Sequence, residues 1–454
     1  MPWYEILPTA MLICMAVFIF TGFPVALVLG GLGLAFGIIG ILVGEFRIVH
    51  FNALPSRIYA GSVENIILVA IPMFIFMGTM LEKSGIAEDL LYTLQILTRK
   101  LPGGLAISVT LLGTILAATT GIIGASVVLL TLMALPEMLK RGYSPQLATG
   151  TIASSGTLGI LIPPSIMLVL MADQLSVPVG VLFTGALIPG LLLASLYVVY
   201  IITKATLQPH LAPPMVRSDE EVAADNILPM VIKTFIPPVF LIVLVLGSIF
   251  AGWATPTEAS GIGAIGATLL AIFNRRLNYA VLKDVCIRAA VTNGMIFGIF
   301  VGATCFSLVF KRLGGDFLIE ELINSLGIGP WGVLGMIMLV VFLLGFFLDW
   351  IEITLIVLPI FAPIIAGLDF SGHVADPAMM LPWFAILLAV NLQTSFLTPP
   401  FGFALFYMKG AAKGVRIQQI YRGIVPFVAL QLFGLGLCII FPEIVTWLPQ
   451  AVLD

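Results

Sequence analysis

The sequence predicts an all-α, polytopic membrane protein, and three observations lead to that class: composition, recurring apolar runs and two interrupted helices. Of the 454 residues, 60% are hydrophobic and 9% are charged, against roughly 25% charged residues in soluble domains. Apolar stretches of about 20 residues recur along the chain, each long enough to cross a hydrocarbon core of about 30 Å as a helix. No soluble domain fits between them, and a nucleic-acid partner is not expected.

The order of apolar runs and polar breaks predicts six segments. The first run has no basic flank before it and no small-residue cleavage pattern after it, so it is interpreted as a membrane helix and not as a signal peptide. The predicted segments are N-terminal scaffold helices (1–63), a first repeat with a hairpin, an arm helix and a broken helix (64–203), a polar linker (204–230), further scaffold helices and an arm (231–290), a second repeat with a hairpin and a broken helix (291–423), and a C-terminal helix (424–454).

Two amphipathic stretches are candidates for arms that lie flat on the bilayer. Residues 86–100 place apolar side chains on one side at helical spacing, which is typical of an interfacial helix. An ordinary loop helix explains the same pattern equally well. Residues 278–290, with Lys283, Asp284 and Arg288, are interpreted as the corresponding arm of the second half.

The two interrupted helices share a double proline with glycine and hydroxyl residues around it. The first runs from Ser154 to Ser165 and contains Pro163-Pro164, and the second runs from Asn391 to Gly402 and contains Pro399-Pro400. Proline removes an amide donor, so each segment leaves backbone carbonyls unpaired at membrane depth, which is tolerated only where the backbone lines a protected site. Paired interruptions in two halves of a chain point to the binding site of a secondary transporter.

Oxygen-bearing residues around the two breaks are candidates for binding a cation, because Na⁺ exchanges its hydration shell for carbonyl, hydroxyl and carboxamide oxygens. A single Ser or Thr is equally well explained by a helix cap or a helix–helix hydrogen bond, whereas two matching clusters favour a site. Asp349 and Glu352, three residues apart, could bind a cation or relay a proton. They could also face water at the tip of a hairpin.

Other function classes lack their motifs. No GxxxxGK[ST] loop is present, so ATP is not the driver within this chain. No serine–histidine, paired-aspartate or HExxH arrangement indicates a protease, and the protein is not expected to be an enzyme. The four cysteines and three histidines are scattered, so no cofactor and no metal other than sodium is expected.

Basic residues predict the orientation, since cytoplasmic loops are enriched in Lys and Arg. None precedes Arg47 and none follows Arg422, which predicts that both termini face the periplasm. Three pairs of adjacent basic residues are candidates for the cytoplasmic side: Arg99-Lys100, Lys140-Arg141 and Arg275-Arg276.

Five short motifs together resemble one transporter family over nearly the whole chain. The motifs are Gly22-Phe23-Pro24-Val25-Ala26, Ile71-Pro72-Met73-Phe74, Ala254-Thr255-Pro256-Thr257-Glu258-Ala259, Gly159-Ile160-Leu161-Ile162-Pro163-Pro164-Ser165 and Leu397-Thr398-Pro399-Pro400-Phe401-Gly402. The chain is similar to the large membrane subunit, DctM-like, of tripartite ATP-independent periplasmic (TRAP) transporters.

That resemblance implies sodium-coupled import of a small organic acid across the bacterial inner membrane by an elevator motion. It also implies two inverted repeats with re-entrant hairpins, a scaffold domain and a transport domain. Two partners are implied: a small four-helix membrane subunit on a separate chain, and a periplasmic substrate-binding protein. The competing functions are a stand-alone sodium/carboxylate transporter of the divalent-anion type and a passive anion channel.

The resemblance places sodium at both breaks, through Gly159, Ile162 and Pro164 and through Ser395, Thr398 and Phe401. With the oxygen-bearing residues nearby, the predicted sodium-binding set is Thr120, Ser126, Gly159, Ile162, Pro164, Asp349, Thr354, Ser395, Thr398 and Phe401. The predicted substrate-binding set is Ser155, Gly156, Thr157, Asn391, Thr394, Pro399 and Pro400. Ser395 departs from the glycine common in the family. A monocarboxylate such as a 2-oxo or hydroxy acid is the expected substrate, with dicarboxylates as the alternative.

Overall fold

The protein is helical throughout the part of the chain that the structure describes. The computed structural model describes residues 3–120, 123–214, 227–370, 372–399 and 402–453. The helices of the first half are α1 (Trp3–Ile19), α2 (Val25–Val43), α3 (Ala53–Ile58), α4 (Ala70–Lys83), α5 (Ile86–Thr98), α6 (Gly104–Thr120), α7 (Ile123–Lys140), α8 (Pro145–Thr157), α9 (Ile166–Leu175) and α10 (Val179–Leu207).

The second half of the chain is also helical. Its helices are α11 (Ile227–Met230), α12 (Ile236–Phe250), α13 (Pro256–Phe273), α14 (Tyr279–Arg312), α15 (Gly315–Leu326), α16 (Pro330–Leu344), α17 (Trp350–Ile356), α18 (Leu358–Ala366), α19 (Met380–Leu397), α20 (Phe403–Ala411), α21 (Ile417–Ile440) and α22 (Glu443–Leu453).

Length and hydropathy identify the membrane spans. Within the described ranges, nine helices are long and apolar enough to cross a bilayer. Shorter apolar helices accompany them, α9 and α16 among them, as expected where hairpins and broken helices cross only part of the bilayer. The prediction of an all-α polytopic membrane protein is confirmed.

Helices α2, α4, α13 and α14 form one packed group. Helix α14 packs along α2 and α4, and α4 also packs along α13. Glycines set the close approach: a Cβ atom added at Gly302 of α14 would lie 2.3 Å from the carbonyl oxygen of Ala26 on α2. Small residues at such crossings allow helix backbones to approach closely inside membranes.

A second group contains both interrupted segments. Helix α8 packs against α6, α7 and α21, and α19 packs against α16 and α21. Helix α20 also packs against α7. The two candidate sites therefore lie in one continuous packed region, with hairpin helices from both halves around them.

The order of elements repeats between the halves. In the first, α4 and α5 are followed by the hairpin α6–α7, the broken helix α8–α9 and the long helix α10. In the second, α14 and α15 are followed by α16–α18, the broken helix α19–α20 and α21. This correspondence agrees with the predicted two-repeat plan.

The placement of the second arm needs correction. The proposed arm at 278–290 is the first part of one 34-residue helix, α14, which continues to Arg312 without interruption. Its charged residues belong to a local network, since Asp284 pairs with Lys83 of α4 at 2.9 Å and with Arg288 at 3.0 Å. The element in the place that α5 holds in the first half is α15, which follows Gly314 with φ +92°.

Three proposed segment boundaries fall inside helices. The boundary at 203 lies within α10, the boundary at 290 lies within α14, and the boundary at 424 lies within α21, which begins at Ile417. The predicted C-terminal helix over 424–454 is divided, because the chain leaves α21 after Ile440 and begins α22 at Glu443. The division into six segments otherwise stays a prediction.

Two of the three basic pairs lie together. Arg141 Nη2 donates a hydrogen bond to Gln95 Oε1 at 3.4 Å, and Arg99 lines the same small cavity as Arg141. Both pairs therefore lie at one end of the helices, as the positive-inside argument requires. The orientation of the termini stays a prediction.

Candidate functional site

The first break separates α8 from α9 around the first double proline. Helix α8 ends at Thr157, a 3₁₀ turn covers Leu158–Ile160, and α9 begins only at Ile166. Ser165 Oγ donates to the carbonyl oxygen of Ile160 at 2.6 Å, which satisfies one of the acceptors that the interrupted helix leaves without an amide partner. Residues 154–165 are all buried. Gly159, Ile162 and Pro164 of the predicted sodium-binding set lie in this break.

The second break separates α19 from α20. Helix α19 ends at Leu397, and α20 begins at Phe403 after Gly402, which has φ +35°. A Cβ atom at Gly402 would lie 2.8 Å from the carbonyl oxygen of Phe396, so this close approach and the positive φ favour glycine. Thr398 Oγ1 donates to the carbonyl oxygen of Thr394 at 2.7 Å. The predicted ligands Pro400 and Phe401 lie outside the described residues.

The hairpin of the first half contacts its broken helix through close packing of small residues. A Cβ atom at Gly156 of α8 would lie 2.6 Å from Val127 Cγ2 of α7, and one at Gly113 of α6 would lie 2.6 Å from Ser155 Cβ. Ser155 Oγ is 3.4 Å from Thr110 Oγ1. The predicted substrate residues Ser155 and Gly156 therefore face the hairpin helices.

The hairpin of the second half is tied to its broken helix by side-chain hydrogen bonds. Asn391 Nδ2 donates to the carbonyl oxygen of Met338 at 2.7 Å, and Ser395 Oγ donates to that of Phe342 at 2.5 Å. Donor and acceptor residues are each four apart, so both bonds join one face of α19 to one face of α16. Thr394 Oγ1 bonds instead to its own helix, at the carbonyl oxygen of Val390.

The two broken helices meet directly at Gln393 and Thr157. Gln393 Nε2 on α19 lies 3.4 Å from Thr157 Oγ1 on α8, and both residues are fully buried. Each stands six positions before the first proline of its own pair, Pro399 or Pro163. The contact therefore joins corresponding positions of the two repeats.

Gln393 is the residue that the sequence prediction missed. It lies inside the second motif, yet a single glutamine in an apolar run carries no periodic signal. The common spacing to the double prolines is the sequence feature that pairs it with Thr157.

The tip of the second hairpin carries the two acids that the sequence singled out. Asp349 Oδ1 accepts from Trp350 N at 2.8 Å, and Glu352 Oε2 accepts from Asp349 N at 2.6 Å, which forms a capping box at the start of α17. Asp349 is half-buried, and Glu352 is 8% exposed. Much of this tip is thus packed inside the protein and not open to water, and the box satisfies amides at the start of the helix.

Three further predicted sodium-binding residues lie on the hairpin helices. Ser126 is buried on α7 and Thr354 is fully buried on α17. Among the described residues, Thr354 Oγ1 has no hydrogen-bond partner. Thr120 ends α6, and its side chain lies outside the described part of the structure. The sodium and substrate roles of all these residues stay predictions.

The geometry is that of two interrupted helices that meet at a buried polar contact, with helices of both hairpins packed against them. The model of the family described as "Tripartite ATP-independent periplasmic transporter, DctM component" matches residues 12–444. The chain belongs to this family. It is therefore a multi-pass membrane permease subunit of the DctM type.

Two relatives illustrate the range within the family. The chain is 30% identical to the C4-dicarboxylate TRAP transporter large permease protein DctM of Pseudomonas aeruginosa over 414 residues, which cover 90% of this chain and 91% of that protein. It is 28% identical to the isethionate TRAP transporter permease protein DctMQ of Oleidesulfovibrio alaskensis, over 94% of this chain and 64% of that protein.

A solved structure supports the fold. The crystal structure of the Alcanivorax borkumensis YdaH transporter matches with a TM-score of 0.61 over 86% of this chain and 87% of that one, at 15% sequence identity. At that identity the likeness concerns the fold alone.

Proposed function

We propose that this DctM-family subunit imports a small organic acid by sodium-coupled, secondary active transport. The observation that carries the proposal is the meeting of the two broken helices at Gln393 and Thr157. Interrupted helices expose carbonyl oxygens that suit Na⁺, and half-helix N-termini attract carboxylate. The C4-dicarboxylate relative supports an acid as the substrate.

The coupling ion is sodium, held at both breaks. The residues proposed for it are those of the predicted set, with Gly159, Ile162 and Pro164 in the first break and Ser395 and Thr398 in the second. Each net positive charge that enters contributes about 2.3 kcal/mol per 100 mV of membrane potential. More than one Na⁺ per monoanion therefore drives accumulation of the acid.

The acid itself is a small carboxylate bound between the two repeats. The predicted substrate residues before the second double proline lie on α8 and α19, and Thr157, Asn391 and Thr394 are at most 3% exposed. Pro399 follows the end of α19. Solute reaches such a buried site only after the surrounding helices move. An elevator motion of the hairpins and broken helices against the remaining helices provides that access.

Two partners complete the transporter in this proposal. A periplasmic binding protein delivers the acid, and a small four-helix membrane subunit on a separate chain associates with this one. The proposal places the assembled transporter in the bacterial inner membrane.

Uptake of labelled acids into proteoliposomes tests the proposal. The vesicles contain this chain with its small partner subunit, and uptake is measured with and without an inward sodium gradient and with and without the matching binding protein. We expect accumulation only when both are present. A potassium gradient of equal size serves as the ionic control.

Other outcomes separate the competing functions. Accumulation on a sodium gradient alone would identify a stand-alone transporter of the divalent-anion type. Equilibration that is indifferent to sodium and to the binding protein, and that does not saturate, would identify a passive anion channel.

A further inference from the structure

Gln393 has a buried acceptor atom that the structure leaves unused. Its side chain is fully buried, and Oε1 has no hydrogen-bond partner among the described residues. A buried polar atom without a partner keeps its full desolvation cost. Such an atom requires an explanation, and a bound ligand is one.

The hydrogen-bond network around Thr157 fixes which way the amide of Gln393 points. Thr157 Oγ1 lies 2.9 Å from the carbonyl oxygen of Ser154. A carbonyl oxygen can only accept, so the single hydroxyl proton of Thr157 is donated to Ser154. Thr157 Oγ1 can then only accept from Gln393, which must turn its Nε2 toward it and Oε1 away from it.

The position of Gln393 places this oxygen between the two repeats. Helix α19 contacts both α8 and the 3₁₀ turn Leu158–Ile160 of the first break. Asn391 and Thr394, on the same helix, belong to the predicted substrate set. Both have their own donors engaged with backbone carbonyls. Among the described residues of this stretch, Gln393 carries the buried acceptor that has no hydrogen-bond partner.

We infer that Gln393 is a specificity-determining residue whose Oε1 accepts a hydrogen bond from a hydroxyl group beside the carboxylate of the substrate. The inference rests on the proposed function. A hydroxy acid supplies the missing proton and satisfies the buried oxygen. A 2-oxo acid of the same skeleton sets its own carbonyl oxygen against that of Gln393, and both remain unsatisfied. A site built to hydrogen-bond a substrate hydroxyl discriminates strongly against analogues that lack it.

The test is the ratio of uptake of a 2-hydroxy acid to that of the 2-oxo acid with the same carbon skeleton. Both are measured in proteoliposomes under one sodium gradient with one binding protein, so differences in the ratio between variants come from this chain. The wild-type chain gives the reference ratio. Gln393→Met, which keeps the volume and removes the acceptor, is expected to lower the ratio about tenfold.

Two further variants separate recognition from packing. Gln431→Met on α21 replaces another fully buried glutamine and is expected to leave the ratio unchanged. Thr157→Val removes the partner of Nε2 and keeps Oε1, so it is expected to slow uptake of both acids alike. If Gln393→Met does not fold, Gln393→Asn, which withdraws the amide by one methylene, is expected to lower the ratio as well.

A ratio that is unchanged in Gln393→Met and Gln393→Asn, or that falls equally in Thr157→Val, overturns the inference while the proposed function stands. Failure of the wild-type chain to accumulate any acid on a sodium gradient overturns the proposed function, and the inference with it.

Discussion

The two broken helices have the same plan and are held by different chemistry. In the first, α8 is fixed by close backbone approaches at glycines, and the hydroxyls of Ser154 and Thr157 bond back to their own helix. In the second, Asn391 and Ser395 of α19 reach across to carbonyl oxygens of the hairpin helix α16. The first break is thus locked by shape and the second by exchangeable hydrogen bonds. The two halves are therefore expected to respond differently to substitution of their contact residues.

The largest expected effect tests the shape-locked half. A Cβ atom at Gly423 of α21 would lie 2.1 Å from the carbonyl oxygen of Gln146 at the start of α8, whereas one at Gly436 of the same helix meets nothing within 4 Å. Gly423→Ala is expected to lower the free energy of unfolding by about 3 kcal/mol, since a backbone carbonyl cannot move aside. Thermal unfolding in detergent measures it.

Gly436→Ala is the matched control and is expected to leave the unfolding temperature unchanged. Equal unfolding temperatures for the two variants would show that α8 and α21 are not locked at this crossing.

The next effect tests the hydrogen-bonded half. Asn391→Leu removes the bond to the carbonyl oxygen of Met338 and is expected to lower stability by roughly 0.6 to 1.5 kcal/mol. Thr394→Val, one turn away, removes a hydroxyl that bonds within its own helix, and is expected to cost less than about 0.5 kcal/mol. The same thermal measurement compares them. A larger loss of stability for Thr394→Val than for Asn391→Leu would contradict the conclusion that the bond from Asn391 to Met338 holds α19 against α16.

Ser395 and Gly345 provide a coupled test of the same contact. A Cβ atom at Gly345 would lie 2.5 Å from Ser395 Oγ, so Gly345→Ala alone is expected to be destabilising by about 1 kcal/mol or more. In a Ser395→Gly background the space is open. The double variant is therefore expected to be more stable than the sum of the single changes predicts, by about 0.5 kcal/mol or more. If the stability changes of the two single variants simply add in the double variant, the cost of Gly345→Ala does not come from a clash with Ser395.

The sequence predicted the architecture better than it predicted the details of the site. Proline and glycine interrupt helices by local sterics, so Pro163-Pro164 and Pro399-Pro400 located both breaks without any tertiary information. The arm at 278–290 was wrong because a charged, amphipathic stretch looks interfacial, whereas only a breaker ends a helix. Gly294, Gly298 and Gly302 stay within α14, and the first residue after it with a positive φ is Gly314.

Side-chain partners across the molecule could not be predicted in the same way. The sequence grouped Asn391, Thr394 and Ser395 as candidate ligands by chemistry alone. Whether such a side chain bonds to its own helix or to a neighbour depends on its rotation about α19 relative to α16, which only packing decides. Gln393 was missed for the same reason.

The smallest expected change in stability, that of Asp349→Asn, separates a structural role of Asp349 from a sodium-binding role. Asparagine caps a helix as well as aspartate does, whereas alanine does not, so Asp349→Asn is expected to preserve stability and Asp349→Ala to lower it by about 1 kcal/mol. Asparagine lacks the charge that attracts a cation, so Asp349→Asn is also expected to raise the sodium concentration needed for half-maximal uptake. Asp376→Asn changes another N-cap, away from both breaks, and is expected to leave that concentration unchanged. An unchanged sodium dependence in Asp349→Asn would show that Asp349 acts only in the capping box. The sodium site of the second half would then consist of the uncharged oxygens of α19.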